Sequence, residues 1–211
     1  MSVAVCDSVA TTADSATRPD GTGSPVDELR EGRPVVVGSK EGGEHVGLLV
    51  VAGKLATAAT MAFLVRHCSG LVFVTVSASE CRRLGLPGMP WTEEDSPAAG
   101  VRVTVDAAEG IGTGISARDR ARTARLLAEP ASARQDFTRP GHVMPVRVDS
   151  GAGSADSAQR VADLVRAAGL GSCGVYSHLV TPGGTGLAGH SVMAEFAVRH
   201  RLGLVEQEYA S

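Results

Sequence analysis

DAAEGIGTGISARDRARTARLLAEPASARQDFTRPGHVMPVRV, residues 106–148, decides the reading of this chain. Just before it, Val101, Val103 and Val105 alternate with other residues, the period-2 pattern of a strand with one buried face. Gly110-Ile111-Gly112-Thr113-Gly114 follows, a glycine-rich turn that admits positive φ and close backbone approach. Ser116 is placed to cap a helix, with Asp119 three positions on in the capping-box place. The spacing of Ala121, Ala124, Leu127 and Ala128 predicts a helix over 118–128, ended by Pro130. Arg139-Pro140-Gly141-His142 then feeds a predicted strand over 143–148. A histidine on a Pro-Gly turn, beside a turn that opens a helix, is a candidate proton carrier near neutral pH. The competing reading is a loop histidine with a structural bond.

Working outward, 211 residues suffice for one α/β domain with a full core. A net charge of −3 gives no field that favours nucleic acid or an anionic membrane. Aromatics at 3% leave no stacking platform for single-stranded nucleic acid. Cys6, Cys68, Cys81 and Cys173 form no CxxC pair, which points to free thiols in a reducing cytosol. No apolar run is long enough to span a membrane, and the N-terminus lacks a signal-peptide pattern. These features imply a cytoplasmic protein.

Residues 1–24 are rich in Ser, Thr, Ala, Asp and Gly without a sustained period and read as a disordered tail. The single domain is expected over 25–211. It opens with a short helix over 26–31 and a strand over 34–37. Residues 38–47 read as a turn, before a buried strand over 48–51. A helix over 54–67, a strand over 71–76 and a helix over 79–84 come next. The loop 87–99 carries Trp91 and the acidic run Glu93-Glu94-Asp95, read as solvated surface. After the central stretch come a loop over 150–157, a helix over 158–168 and a strand over 175–180. A helix over 192–200 and a strand over 202–205 close the chain.

Thr113, Gly114, Ser116, Asp119, Arg120 and Thr123, followed by RPGHV at 139–143, carry a resemblance. So do LREGRPVVV at 29–37, RHCSGLV at 66–72, RRLGLP at 82–87 and AEFAVRHRLGLV at 194–205. In this order they are similar to the 3,4-dihydroxy-2-butanone 4-phosphate synthase family, across roughly residues 27–206. The resemblance implies an α/β (α+β) fold, a mixed sheet covered by helices, and a homodimer with active sites near the subunit interface. It also implies a reaction that turns ribulose 5-phosphate into a four-carbon riboflavin precursor and formate. His142 falls at the family's essential histidine.

The same resemblance exposes departures. The family's acidic loop, of the DDEDRENEGD type, is GSKEGGEHVGL here. Glu44 falls at the metal-binding glutamate and Glu41 is retained. Gly43 replaces an arginine, and Val46 and Leu48 replace acidic residues. Ser157 is the nearest counterpart of the second metal ligand, a histidine. His178 stands at a catalytic glutamate and Phe73 at a strand cysteine. From these losses we expect a diverged, metal-independent enzyme of specialised metabolism. It would carry out acid–base chemistry (dehydration, isomerisation or cyclisation) on a non-ribulose, rather apolar small molecule.

The expected catalytic residues are His142, Glu44 and His178. The expected substrate contacts are Glu41, His45, Val46, Leu48, Phe73, Thr113, Arg139 and Tyr176, with no metal and no cofactor. Arg139, Asp119, Arg120 and Thr123 have a bracing role as their alternative. His45, His67, His190 and His200 have a surface or structural one. The alternative functions are a genuine synthase using Mg²⁺ and ribulose 5-phosphate, and a non-catalytic binding homologue.

Overall fold

A computed structural model of the chain describes residues 23–89, 100–149 and 156–206. Residues 1–22 of the expected N-terminal tail, the acidic run 93–95 and most of the loop at 150–157 lie outside the described residues. The elements run α1 (Pro25–Arg30), β1 (Val35–Glu41), β2 (Glu44–Ala52), α2 (Ala58–His67), β3 (Val72–Ser77) and α3 (Ala78–Arg83). Then come β4 (Val105–Ala107), α4 (Ala117–Leu127), β5 (Phe137–Val148), α5 (Ser157–Ala167), β6 (Gly174–His178), α6 (His190–His200) and β7 (Leu204–Val205).

The seven strands form one mixed sheet in the order β4-β5-β3-β6-β2-β1-β7. β3–β5 and β1–β7 pair in parallel; the other neighbours are antiparallel. Helices cover both faces. One core joins Val36, Leu49, Val72, Val74 and Val175 to Met61 and Leu64 of α2, Ala121, Ala124 and Leu127 of α4, and Met193 and Ala197 of α6. The other joins Val35, Val37, Val46, Leu48 and Val50 to Leu29 of α1 and to Ala158, Val161, Ala162 and Val165 of α5. Leu64 is wholly inaccessible, and burial of such a side chain contributes about 1.5–3 kcal/mol.

The structure moves several expected boundaries. The predicted turn at 38–47 is a β-hairpin. β1 and β2 run on to a Glu41↔Glu44 pair, and only Gly42 and Gly43 lie between them. Both have positive φ, 57° and 86°, the requirement of a two-residue I′ turn. The alternation at Val101–Val105 yields a strand only from Val105, preceded by isolated bridges Gly88↔Arg102 and Val101↔Val146. β5 starts six residues earlier than Val143, at Phe137.

Candidate active site

The helix predicted after the glycine-rich turn is α4. The Ser116 side chain accepts the Asp119 N–H as its N-cap. Asp119 in turn uses Oδ2 to accept the N–H groups of Gly112 and Gly114, each at 3.2 Å. Thr123 accepts the Ala107 N–H at 2.9 Å and donates to the Asp119 carbonyl. Arg120 donates to the Gly70 carbonyl, and burial pulls its pKa below the ordinary value. Together these residues fix the turn against β4.

That frame presents Asp106. Its Oδ1 accepts the His142 backbone N–H at 2.9 Å, and its Oδ2 lies 2.7 Å from His142 Nδ1. The Asp106 side chain is 8% exposed and the imidazole 41%. The carboxylate thus favours the tautomer with the proton on Nδ1, the orienting role a buried carboxylate plays for histidine. Glycines make room for this contact. A Cβ at Gly114 would lie 2.1 Å from Asp106 Oδ2, and one at Gly141 would lie 2.1 Å from the Val105 carbonyl carbon. Asp106 was not among the expected site residues.

A second imidazole–carboxylate pair sits on β6 and β1. His178 Nε2 is 3.0 Å from Glu41 Oε2, and the His178 side chain is 14% exposed. The bond from His178 holds the Glu41 carboxyl below its ordinary pKa, with burial opposing and Ser157 assisting. Phe73 stacks on Tyr176 at 5.0 Å and meets His178 edge-on at 5.7 Å. Burial, then Asp156 and Glu41, push the Tyr176 phenol upward, so it stays protonated.

The β3 registers relate the two histidines. Val72 pairs with Val143 and Phe73 with Tyr176. They put His142 and His178 on the two strands that flank β3, and those strands lie two spacings, about 10 Å, apart. Leu71, just before β3, is 45% exposed.

Glu41, His178, Phe73 and Tyr176 line a cleft of about 530 Å³ together with Lys40, Arg147, Asp149, Asp156 and Ser157. The expected apolar pocket is therefore a charged cleft. Val46 and Leu48, expected to line it, are 1% and 0% exposed beneath α5. Arg139, an expected substrate contact, donates to the carbonyls of Gly85, Leu84, Phe137 and Arg134 and serves as a brace. Glu44, His45 and Thr113 are exposed, Glu44 at the hairpin end opposite Glu41 and Thr113 in the turn beside Gly114. His190 pairs with Glu206 at 3.0 Å. Cys68, Cys81 and Cys173 are free, and burial pushes the Cys68 and Cys173 thiols up to about 12.

Among the described residues no three or more His, Cys, Asp or Glu side chains are grouped to hold a metal. Magnesium does not need such a cage, because it keeps several waters and takes one or two carboxylates with substrate oxygens. Glu41 and Glu44 meet that need: they are a cross-strand pair, with Cβ atoms about 4.5–5.5 Å apart. The donor set fits a hard cation.

Two imidazole–carboxylate pairs thus stand on a mixed α/β sheet covered by helices. Comparison with known proteins is more specific. The profile of the 3,4-dihydroxy-2-butanone 4-phosphate synthase family matches residues 24–209. The riboflavin biosynthesis protein RibBA of Rhodococcus jostii (strain RHA1) is 43% identical over 195 residues, 90% of this chain and 46% of that protein. RibBA of Mycobacterium tuberculosis (strain ATCC 25177 / H37Ra) is 40% identical over the same length, 90% of this chain and 45% of that one. The chain spans about half the length of these curated relatives. A crystal structure of the Candida albicans synthase superposes with a TM-score of 0.75 at 34% identity, covering 86% of this chain and 91% of that one. A synthase crystallised with two magnesium ions superposes at 0.76 with 31% identity, covering 86% and 90%.

The chain belongs to the 3,4-dihydroxy-2-butanone 4-phosphate synthase family. The mixed sheet covered by helices is as expected. The expected diverged function on an apolar, non-ribulose substrate is overturned by the 43% identity across nine-tenths of the chain. The expectation of no metal falls to the magnesium-bound relative.

Proposed function

We propose that this chain is a 3,4-dihydroxy-2-butanone 4-phosphate synthase, a lyase converting ribulose 5-phosphate to the four-carbon ketone phosphate and formate. The observation that carries the reading is the 43% identity to a riboflavin biosynthesis protein over 195 residues. The charged cleft supports it. Five carbons divide into four and one without water, oxidant or reductant, so the residues have only protons to move and charges to hold.

His142, with Nδ1 fixed by Asp106, is the base at Nε2 that takes a proton from carbon next to the ketone. His178, held by the Glu41 carboxylate at 3.0 Å, exchanges a proton with the sugar hydroxyls as the skeleton rearranges. Lys40 and Arg147 supply cationic donors to the phosphate on the cleft wall. The Tyr176 phenol, kept protonated, donates to a substrate oxygen. Glu41 and Glu44 are the residues that would hold Mg²⁺. When bound, the ion polarises the sugar's oxygens as a Lewis acid. Phe73 stacked on Tyr176 keeps one cleft wall dry.

The chain is further read as a homodimer, because Leu71 is an exposed apolar residue just before β3, the strand flanked by those that carry the two site histidines. It is read as cytoplasmic from its free thiols. No described helix is long and apolar enough to cross a membrane. The test of the activity is carbon-13 NMR of ribulose 5-phosphate incubated with the chain and Mg²⁺. Equimolar formate and four-carbon ketone phosphate are expected; unchanged substrate, or a product that keeps all five carbons, contradicts the reading.

A further inference from the structure

Beside the cleft lies a second cavity, of about 400 Å³, with a different chemistry. Four arginines from four segments face it: Arg82 of α3, Arg102 of the strip bridged to Gly88, Arg134 of the turn before β5, and Arg147 of β5. Among the described residues no carboxylate lines it. Arg147 has Asp149 at 3.7 Å, but Arg82 and Arg134 make no ion pair among the described residues. Arg102 Nε is fully buried and has no acceptor among the described residues; this guanidinium meets the Cys81 thiol.

The loop is shaped around these groups. A Cβ at Gly85 would come within 2.8 Å of Arg134 Cδ, and one at Gly88 within 2.8 Å of Arg102 Nη1. Four like charges around one cavity repel each other, and a buried N–H without an acceptor carries a desolvation cost. A multiply charged anion relieves both. One phosphate is satisfied by about two guanidinium forks, so four match two phosphates. The volume suits a small molecule, and the lining among the described residues is cationic, the chemistry of anion binding.

We propose that this cavity binds a ligand of the diphosphate class through Arg82, Arg102, Arg134 and Arg147. The test is calorimetric titration of the full chain with inorganic pyrophosphate. Arg147 also lines the cleft, so the informative variant is Arg82→Ala with Arg134→Ala, two exposed side chains. Lys40→Ala, which alters the cleft alone, controls for binding there. The expected result is saturable binding, stronger than that of orthophosphate. The double variant weakens it about tenfold or more, and Lys40→Ala leaves it unchanged. No saturable binding, binding that the double variant leaves intact, or binding lost in Lys40→Ala overturns the proposal.

Discussion

His142 is gripped twice by Asp106: the carboxylate accepts the histidine's backbone N–H at 2.9 Å and lies 2.7 Å from its ring Nδ1. One residue thus sets both the position of the strand and the tautomer of the base. The two residues are 36 positions apart, brought together where β4 meets β5.

Asp106→Asn keeps the shape but offers an amide where a carboxylate stood. The amide can donate to Nδ1 and favour the wrong tautomer, so kcat should fall about 10²–10⁴-fold with KM little changed. Steady-state kinetics of formate release check this. An unchanged kcat would show that His142 is not the base.

Gly114 has φ +88°, and a Cβ there would press on Asp106. Gly114→Ala should lower stability by about 1–3 kcal/mol and displace the dyad, reducing kcat as well. Thermal unfolding and kinetics measured on the same sample test the pair of effects. A variant with wild-type stability contradicts the packing argument.

Glu41 is held below its ordinary pKa by His178, so it is ionised across the neutral range. Glu41→Gln should cut kcat/KM about 10²-fold, by the same factor at pH 6 and pH 8. A loss confined to one end of that range would mean that Glu41 titrates within it.

His67 of α2 and His200 of α6 have ring centroids 4.9 Å apart, packed with Phe63 and Phe196. Burial lowers both pKa values, and each is further lowered by a neighbouring cation. The unfolded chain then binds protons more readily than the folded one. Stability from these groups is fully present above the ordinary histidine value, about 6.5, and is lost as pH falls below it toward the folded pKa values. The unfolding temperature should drop between about pH 7.5 and 5.5, and less so for His67→Gln with His200→Gln. An equal pH slope in the variant excludes this pair as the cause.

Much of the architecture could be read in the chain because its signals are local. Ser116, Asp119 and Thr123 lie within two turns of one helix and behave as their spacing predicts. The hairpin at 38–47 escaped because Gly42-Gly43 was read as part of a long loop, although the pair alone suffices for the turn. Val46 and Leu48 stand where the family has charges, which pointed to an apolar cleft. α5 covers them, and that depends on a helix more than 100 residues away in sequence. The grouping of Lys40, Glu41, Arg147, Asp156 and His178 in one cleft is likewise a product of sheet order. Asp106 had one available signal, its place as the first polar residue after an alternating valine run.

The most direct measurement of the central claim is the rate of formate release from ribulose 5-phosphate as Mg²⁺ is titrated into chelator-treated protein. The account predicts no rate without the ion and a saturable rise on adding it. Glu41→Gln with Glu44→Gln should shift that rise to much higher concentration. A rate that is the same in chelator, or no formate at any Mg²⁺ concentration, contradicts it.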